Sequence, residues 1–512
     1  MQYIIIQAGG KGTRLGYLTA NKPKALVPVD NLPMIFHLFR KYPHKRFIII
    51  ADYKKEVLRE YLSAFADVAY QIVEASQPGT CAGIRKAVQL IPTQQPFMLI
   101  WSDLLLPAQF DLPEEYQDEN TPKNDYIGLA QTFPCRWKYE NGIFAEEPSK
   151  TYGVAGLFLF TDREKLQTVP ESGELVRWMQ KEQKTYKELS LAGTREFGLL
   201  EEYKKLTQAK CRPFNQITVE GDILTKTPID EQGKKLTIYE CEWYEKAKDL
   251  GIPILPKIYN TSPLQMEYIK GKNIYDGTYS REEKEAILEM LVDALKKLHS
   301  TKTIPTDIFS LKEAYYHKTM KRLSRIEDLV PFAREKEITV NGKRCRNIYF
   351  HKRALESELE RLQCSHFSFI HGDCTFSNLM VREDGTPVLL DPRGYFGYTR
   401  LFGDELYDWA KLYYSVVGNY DPFNLGKFRL EIGGGYGAAD SKIPYGEVSL
   451  QIESNGWEDM EQSFFELTQT DPHEIKLLHA VIWLSLTTYA WQDYDAICGA
   501  FYNGLYYLED VL

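Results

Sequence analysis

Short apolar runs alternate with amphipathic stretches through the first 200 or so residues. The pattern predicts strands over residues 3–7, 46–50, 70–74 and 97–101, and helices over 34–41, 55–65 and 83–90. Strands that alternate with helices form a doubly wound, mainly parallel sheet. Such a sheet binds ligands beyond the carboxyl ends of its strands. The loops that follow Gln7, Glu74 and Trp101 are therefore the candidate site.

The pattern changes after residue 212. Two strands, 217–220 and 223–226, join at Gly221-Asp222, followed by a helix over 237–249 and a strand over 264–269. Helical periodicity then dominates, notably over 282–299 and 407–416, with a hairpin within 334–350. We therefore predict an α/β domain over 1–208 and an α+β domain over 212–512. The second has a strand-rich small lobe over 212–272 and a helical large lobe over 273–512.

Composition narrows the classes of protein. The chain has 512 residues, 44% of them hydrophobic and 26% charged, which is typical of globular proteins and excludes a disordered chain. A net charge of −9 argues against a nucleic-acid partner. The sequence contains no apolar run long enough for a transmembrane helix. Scattered cysteines without a CxxC motif, and the absence of a signal-peptide pattern, predict a cytoplasmic protein with reduced thiols.

A glycine-rich loop follows the first predicted strand. Glycines allow the backbone to approach phosphate closely, and successive N–H groups bind anions. Basic residues beside the loop can neutralise a triphosphate. The candidate phosphate-binding residues are Ala8, Gly9, Gly10, Lys11, Gly12, Thr13, Arg14 and Lys24.

These residues, from Gly9 to Val29, resemble the nucleoside-triphosphate transferase family, which makes sugar nucleotides and CDP-alcohols. The resemblance extends to about residue 208. It implies that a phosphate monoester attacks the α-phosphate of a nucleotide, with Lys11, Arg14 and Lys24 as catalytic cations. It further implies a base-binding loop and two Mg²⁺ ligands, which are Gln77, Gly79 and Thr80 for the loop and Asp103 and Glu196 for the metal.

One departure concerns the acceptor phosphate. Glu147 stands where the sugar enzymes of this family have a lysine. A carboxylate repels a phosphate and attracts an ammonium group. The departure favours a cationic or otherwise different acceptor over a sugar 1-phosphate.

A second motif, His371-Gly372-Asp373, is followed by Asn378 and, after an apolar run, by Asp391. In this arrangement the first Asp accepts the proton of an attacking hydroxyl, and the Asn and second Asp hold Mg²⁺ on ATP. The segment resembles the aminoglycoside phosphotransferase and choline kinase family, relatives of protein kinases. The resemblance implies a two-lobed protein-kinase-like fold, with Asp373 as the base and His371 as the residue that orients the loop.

The same resemblance assigns further ATP-binding residues. Lys226 corresponds to the lysine that holds the phosphates, with Glu240 as its ion-pair partner and Glu242 as the rival. The segment that contains Glu267 and Ile269 corresponds to the hinge that binds adenine.

The two chemistries fit in series. A kinase makes a phosphate ester from a hydroxyl compound and ATP, and a nucleotidyltransferase couples the ester to CTP or another nucleoside triphosphate. We therefore predict a bifunctional, Mg²⁺-dependent enzyme that makes a precursor for surface glycan decoration. The acceptor is a choline-like amino alcohol, with a sugar or polyol as an equal rival and an amino-acid amide as a third class. A nucleotide-binding scaffold with one inactive domain is the alternative from another class.

Overall fold

A computed structural model describes residues 1–118, 121–204, 215–229, 231–434 and 443–512. The described residues form two compact units. The first contains residues 1–204 and 492–494, and the second contains residues 215–434, 443–491 and 495–512. The boundary predicted at 208–212 lies outside the described residues, so the domain and lobe limits stay predictions.

The first unit contains one large sheet. Its four strands nearest the chain start run parallel, with Tyr3–Gln7 hydrogen-bonded to both Arg46–Ala51 and Phe97–Trp101. Ile4, Ile5 and Ile6 are fully buried, as expected for a parallel strand covered on both faces. The strands, in sheet order, are Ile143–Ala145, Lys138–Glu140, Gly153–Phe160, Phe97–Trp101, Tyr3–Gln7, Arg46–Ala51 and Ala69–Glu74, with Tyr126–Ala130 and Lys187–Ser190 joined beside Gly153–Phe160.

The predicted doubly wound sheet is confirmed, and each predicted strand is present to within one residue at either end. The later strands were not predicted. Gly153–Phe160 runs antiparallel to both Phe97–Trp101 and Tyr126–Ala130, so the parallel part of the sheet is extended by an antiparallel part. The α-helices of this unit are Met34–Lys41, Lys55–Phe65, Ile84–Gln89, Glu114–Gln117, Leu175–Lys181 and Leu200–Lys204.

The second unit begins with an antiparallel sheet and one long helix. The strands, in sheet order, are Asn215–Glu220, Ile223–Pro228, Leu264–Glu267 and Ile258–Thr261. The helix Glu231–Asp249 begins six residues before the predicted start, and the strand predicted over 264–269 ends at Glu267. This sheet positions Lys226 opposite Leu264.

Helices and small sheets make up the rest of the second unit. The helix Arg281–Thr301 begins with a capping box, in which Ser280 and Glu283 satisfy each other's backbone N–H groups. The α-helices are Arg281–Thr301, Ile308–Lys312, Lys318–Ile326, Ile348–Arg361, Glu405–Val416, Tyr420–Asn424, Glu461–Thr468, Pro472–Leu486 and Tyr494–Leu508. The strands are Gly271–Asn273, Thr303–Pro305, Glu337–Val340, Lys343–Arg346, His366–Phe369, Leu379–Arg382, Pro387–Leu389, Tyr395–Phe396, Thr399–Arg400, Phe402–Gly403, Phe428–Ile432 and Glu447–Ile452.

Two expectations concern the environment of the chain. Among the described residues, no helix combines the length and the apolar character needed to cross a bilayer. The cysteines in the described ranges are free thiols, in line with the reduced state predicted from their spacing.

Gly156 tests how tightly the large sheet is packed. Its φ is 95°, and a Cβ at this position would lie 2.0 Å from Cε3 of Trp101. We expect Gly156→Ala to lower the free energy of unfolding by about 3 kcal/mol, because overpacking costs about 1–3 kcal/mol and positive φ adds about 1–2 kcal/mol. Gly173→Ala is the matched control, since its φ is 100° but a Cβ there would meet no atom within 4 Å. Calorimetric unfolding of both variants measures the difference; equal shifts would contradict the expectation.

Candidate active sites

The glycine-rich loop leaves the carboxyl end of the first strand. A Cβ on Gly9 would lie 2.9 Å from Cβ of Asp52, and Gly12 has a left-handed φ of 63° with Thr19 Cγ2 3.0 Å from its Cβ position. A Cβ on Gly10 would meet nothing within 4 Å. The loop is therefore packed against the protein at two glycines and faces open space at the third, as a phosphate-binding backbone requires.

The other predicted cradle residues differ in their exposure. Ala8 is buried, whereas Lys11, Thr13 and Arg14 are exposed. Lys11 Nζ lies 5.9 Å from the ring centre of Tyr53. The two cations are thus available to a ligand at this end of the sheet.

Lys24 brings the two predicted metal carboxylates together. Its buried ammonium forms a salt bridge with Asp103 and lies 3.6 Å from Oε1 of Glu196. Two short antiparallel strands, Leu104–Leu105 and Arg195–Glu196, hold the carboxylates side by side. The structure therefore gathers residues that are far apart in sequence at one point.

The groups around Glu196 have opposing effects on its pKa. Burial and the charge of Asp103 raise the pKa of Glu196 above its ordinary value, against the effects of Lys24 and Arg14. A Cβ on Gly198 would lie 2.1 Å from Oε1 of Glu196 and 3.1 Å from a guanidinium nitrogen of Arg14. Arg14 is thus part of the same cluster.

The carboxylates fit a Mg²⁺ ion. Oδ1 of Asp103 is buried and has no hydrogen-bond partner among the described residues. A hard cation would satisfy this oxygen. No group of three His, Cys, Asp or Glu side chains in the described ranges is arranged to hold a metal. One or two protein oxygens suffice for Mg²⁺, because it keeps several waters and binds substrate phosphates.

The predicted base-binding loop packs against the segment before a helix. Gly79 has a φ of 105°, and a Cβ there would lie 2.4 Å from the carbonyl oxygen of Gly173. Thr80 accepts a hydrogen bond of 2.9 Å from Leu175 N–H. Gln77 is exposed, so its amide is accessible to a ligand.

The neighbouring residues Glu146 and Glu147 differ in their contacts. Glu146 forms salt bridges with Arg136 and Arg177. Glu147 is exposed and forms no salt bridge with another described residue. Its predicted effect on an acceptor phosphate stays a prediction.

In the second unit, the predicted Lys226–Glu240 pair is present. Buried Lys226 donates to both carboxylate oxygens of Glu240, at 2.8 and 2.9 Å, and also contacts Asp391. The rival Glu242 pairs with Arg400 instead. A lysine paired with a helix glutamate, next to an aspartate that can bind Mg²⁺, is a combination that kinases use for phosphoryl transfer.

A hairpin places the two predicted metal ligands side by side. Asn378 precedes the strand Leu379–Arg382 and Asp391 follows Pro387–Leu389 by two residues. Leu379 pairs with Leu389, so the two ligands stand at the same end of the hairpin. Carboxylate and amide oxygens suit Mg²⁺, and the donor set fits it.

Asp373, the predicted base, is held on both sides. Its Oδ1 lies 2.9 Å from Lys411 Nζ, and its Oδ2 accepts a hydrogen bond of 3.0 Å from Asn378. Asn378 also donates to the backbone carbonyl of Asp373, at 2.7 Å. The predicted base and a predicted metal ligand are therefore in direct contact.

The loop that carries Asp373 is anchored by Asp408. This buried carboxylate accepts hydrogen bonds from the backbone N–H groups of His371, at 2.8 Å, and Gly372, at 2.6 Å, and contacts His299 Nε2 at 3.0 Å. Burial alone would raise the pKa of Asp408, but these contacts keep it below its ordinary value.

His371 is buried under this loop. Its Nδ1 accepts a hydrogen bond of 3.3 Å from Asp373 N–H, and burial lowers its pKa. A buried ring that accepts a hydrogen bond from its own loop agrees with the predicted orienting role.

The predicted hinge residue Glu267 ends a strand of the small sheet. Its carboxylate pairs with Arg382, and its N–H donates to the carbonyl of Lys257 at 2.8 Å. Its assignment to adenine binding stays a prediction. Ile269 follows that strand and is buried, and its role stays a prediction.

Sequence reasoning missed a group of cations near Asp373. We name Lys318, Arg322, Arg393 and Lys411 the basic cluster. Lys318 and Arg322 lie four residues apart on the helix Lys318–Ile326 and so share a face. No local motif marks these residues, because they come from three distant segments.

Comparison with known proteins confirms both resemblances. Residues 3–135 match the model of the nucleotidyl transferase family, and residues 250–442 match the model of the phosphotransferase enzyme family. Both are families of enzymes, and the second match supports the kinase-like fold predicted for the second half. The matches are shorter than the predicted ranges, which extended to about 208 and began near 212.

Individual relatives match parts of the first unit. The bifunctional protein GlmU of Methanococcus maripaludis strain C7 is 28% identical over 151 residues, 28% of this chain and 36% of the relative. Glucose-1-phosphate cytidylyltransferase of Salmonella typhimurium is 38% identical over 77 residues, 14% of this chain and 30% of the relative. The chain thus spans about a third of the length of these curated relatives. The structure of HddC from Yersinia pseudotuberculosis aligns with 40% of this chain and 98% of its own, at 18% identity and a TM-score of 0.35.

Asp404, which caps the helix carrying Asp408 and Lys411, gives a pH prediction. It is buried, accepts a hydrogen bond from Tyr315 at 2.9 Å, and burial raises its pKa to about 6 from 3.8. The folded state therefore binds a proton on the Asp404 carboxyl more tightly than the unfolded state does. The stability that this protonation contributes is present at low pH and is lost as pH rises through 6.

Asp404→Asn keeps the cap and cannot ionise. We expect the free energy of unfolding of the variant, relative to the wild type, to rise by about 2 kcal/mol between pH 4.5 and 7. Urea unfolding across this range measures it. Parallel curves for the wild type and Asp404→Asn would contradict the assignment.

Proposed function

We propose that the second unit phosphorylates a hydroxyl group of a small acceptor with ATP, and that the first unit couples the resulting ester to a nucleoside triphosphate. The observation that carries the proposal is the complete phosphotransfer set in the second unit. Lys226, Glu240 and Asp391 are in contact with one another, and Asp373 contacts Asn378. A scaffold that had lost catalysis would not need this set intact.

In the kinase step, the acceptor oxygen attacks the γ-phosphorus of ATP. The bond from that phosphorus to the β–γ bridging oxygen breaks, ADP leaves, and the hydroxyl proton passes to Asp373. Lys226 binds the phosphates, and Asn378 and Asp391 would hold Mg²⁺, which neutralises phosphate charge when bound. Lys411 pairs with the base and fixes its orientation.

In the nucleotidyl step, an oxygen of the phosphate ester attacks the α-phosphorus of the triphosphate. The bond to the α–β bridging oxygen breaks and pyrophosphate leaves, with no net proton transfer. The cradle N–H groups, Lys11 and Arg14 stabilise the leaving pyrophosphate. Asp103 and Glu196 would hold Mg²⁺ beside Lys24.

We also propose a chemical class for the acceptor and an identity for the nucleotide. The similarity to a glucose-1-phosphate cytidylyltransferase supports CTP as the nucleotide and a sugar or polyol as the acceptor. A choline-like amino alcohol, the first choice from sequence, is disfavoured by the basic cluster beside Asp373, because like charges repel. Use of the product in surface glycan decoration stays a proposal that rests on these resemblances.

Asp373→Ala separates the two reactions. We expect phosphorylation of the acceptor to fall about 10²- to 10⁴-fold, because general-base catalysis contributes that much, while coupling of a supplied phosphate ester to CTP continues. Mass spectrometry of products from a pool of amino alcohols, polyols and sugars follows both steps. Asp384→Ala, at an exposed turn of the nearby hairpin, should match the wild type. Wild-type phosphorylation by Asp373→Ala would refute the base assignment.

Asp103→Ala should give the opposite result. Pyrophosphate release from CTP and phosphate esters should fall at least about 100-fold, since the carboxylate that faces the metal is removed, and phosphorylation by ATP should persist. A coupled pyrophosphate assay measures the loss. Asp67→Ala, an exposed aspartate of the same unit, is the control. Loss of both reactions in a folded Asp103→Ala protein would rule out two independent sites.

A further inference from the structure

The basic cluster, Lys318, Arg322, Arg393 and Lys411, brings four half-buried basic side chains together. Three of them surround the ring of Tyr407: Lys318 Nζ lies 5.7 Å, the guanidinium carbon of Arg393 6.0 Å and Lys411 Nζ 6.0 Å from the ring centre. Arg322 lies one helical turn from Lys318, and burial together with the charges of Arg393, Arg322 and Lys411 lowers the pKa of Lys318. The nearby charges are therefore unbalanced in favour of positive charge.

One cation of the cluster already has an acidic partner. Lys411 forms a salt bridge with Asp373. Glu313 partly offsets the repulsion at Lys318, and it accepts a hydrogen bond of 3.2 Å from Tyr398. Asp373 also attracts the guanidinium of Arg393, so this one carboxylate faces two of the four basic side chains.

The arginines bind neutral groups only. Arg393 donates to the hydroxyls of Tyr407 at 2.8 Å and Tyr395 at 3.0 Å. Arg322 donates to the carbonyl and the hydroxyl of Ser485. In the described ranges, neither arginine forms a salt bridge, and neither does Lys318. Guanidinium groups that are held in place and not neutralised are suited to bind a carboxylate or a phosphate.

We propose that the basic cluster binds an anionic group of the acceptor, a carboxylate or a phosphate, and so presents the acceptor hydroxyl to Asp373. This rests on the proposed kinase function and specifies its substrate class. The acceptor is an acidic sugar, an acidic polyol or a phosphorylated hydroxy compound.

The aromatic residues nearby do not offer a site for a cation. Tyrosine rings could bind a quaternary ammonium group through their faces. The Nζ of Lys411, however, lies 5.5 Å from the ring centre of Tyr414, 5.9 Å from that of Tyr420 and 6.0 Å from that of Tyr407. A choline-like ligand on these rings would meet the lysine charge directly.

Binding of inorganic phosphate to the full-length protein tests the site. The titration is made by calorimetry with saturating Mg²⁺ and a non-hydrolysable ATP analogue, so that nucleotide sites are filled. We expect binding that Arg322→Gln and Lys318→Gln each weaken at least about 10-fold, that Arg322→Lys largely restores, and that Lys321→Gln on the same helix leaves unchanged. Absence of phosphate binding, its loss on adding the analogue, or insensitivity to both Gln variants would overturn the proposal.

Turnover then identifies the anionic group and separates this proposal from the kinase function. Glycerol, glycerate, glycerol 3-phosphate and choline are compared as acceptors with ATP. An anionic member phosphorylated at least about 10-fold faster than glycerol, with the preference lost in Arg322→Gln, supports the site, and the better of the two shows whether it is a carboxylate or a phosphate. Choline or glycerol as the best substrate would overturn the anionic class and leave the kinase intact. Asp373→Asn that still phosphorylates would refute the kinase base while phosphate binding stood.

Discussion

The chemistry of the second unit depends on one buried carboxylate. Asp408 holds the backbone N–H groups of His371 and Gly372, and this fixes the loop that presents Asp373. A buried charge is tolerated only when its hydrogen bonds are satisfied, and removal of a partner costs several kcal/mol. His299 completes the set from another helix. The position of Asp373 is therefore determined by buried groups beneath its loop, and the helix that carries Asp408 also supplies Lys411.

In the first unit, a buried lysine stabilises two neighbouring carboxylates. Two carboxylates that lie close together repel each other, and burial makes the repulsion stronger. Lys24 lies between Asp103 and Glu196 and offsets it. The short strand pair places Glu196 opposite Leu104, the residue after Asp103, and so keeps both acids in place. In both units, the predicted site residues are held by ion pairs among themselves, so that positioning and charge compensation come from the same contacts.

The sequence predicted the features that depend on residues near one another in the chain. Periodicity predicted the parallel strands and six of the helices. Asp373, Asn378 and Asp391, which one motif identified, lie close together because the chain is continuous through a short loop and a hairpin. The family resemblance predicted the Lys226–Glu240 pair, which the structure contains. Sequence reasoning missed the antiparallel strands of the large sheet, whose pairing partners are distant in sequence. It missed the basic cluster for the same reason, and it did not predict the salt bridge between Glu267 and Arg382, which are far apart in the sequence.

The hairpin between Asn378 and Asp391 has a consequence for protein engineering. The predicted metal ligands stand at its base, where Leu390 N–H donates to the carbonyl of Asn378, whereas Glu383 and Asp384 lie exposed in the turn. A Cβ on Gly385 would meet no atom within 4 Å. Added residues in this turn would lengthen the far end of the hairpin and leave the spacing of the ligands unchanged. The turn is thus a suitable place for a fluorophore or an epitope that reports on nucleotide binding without altering the site.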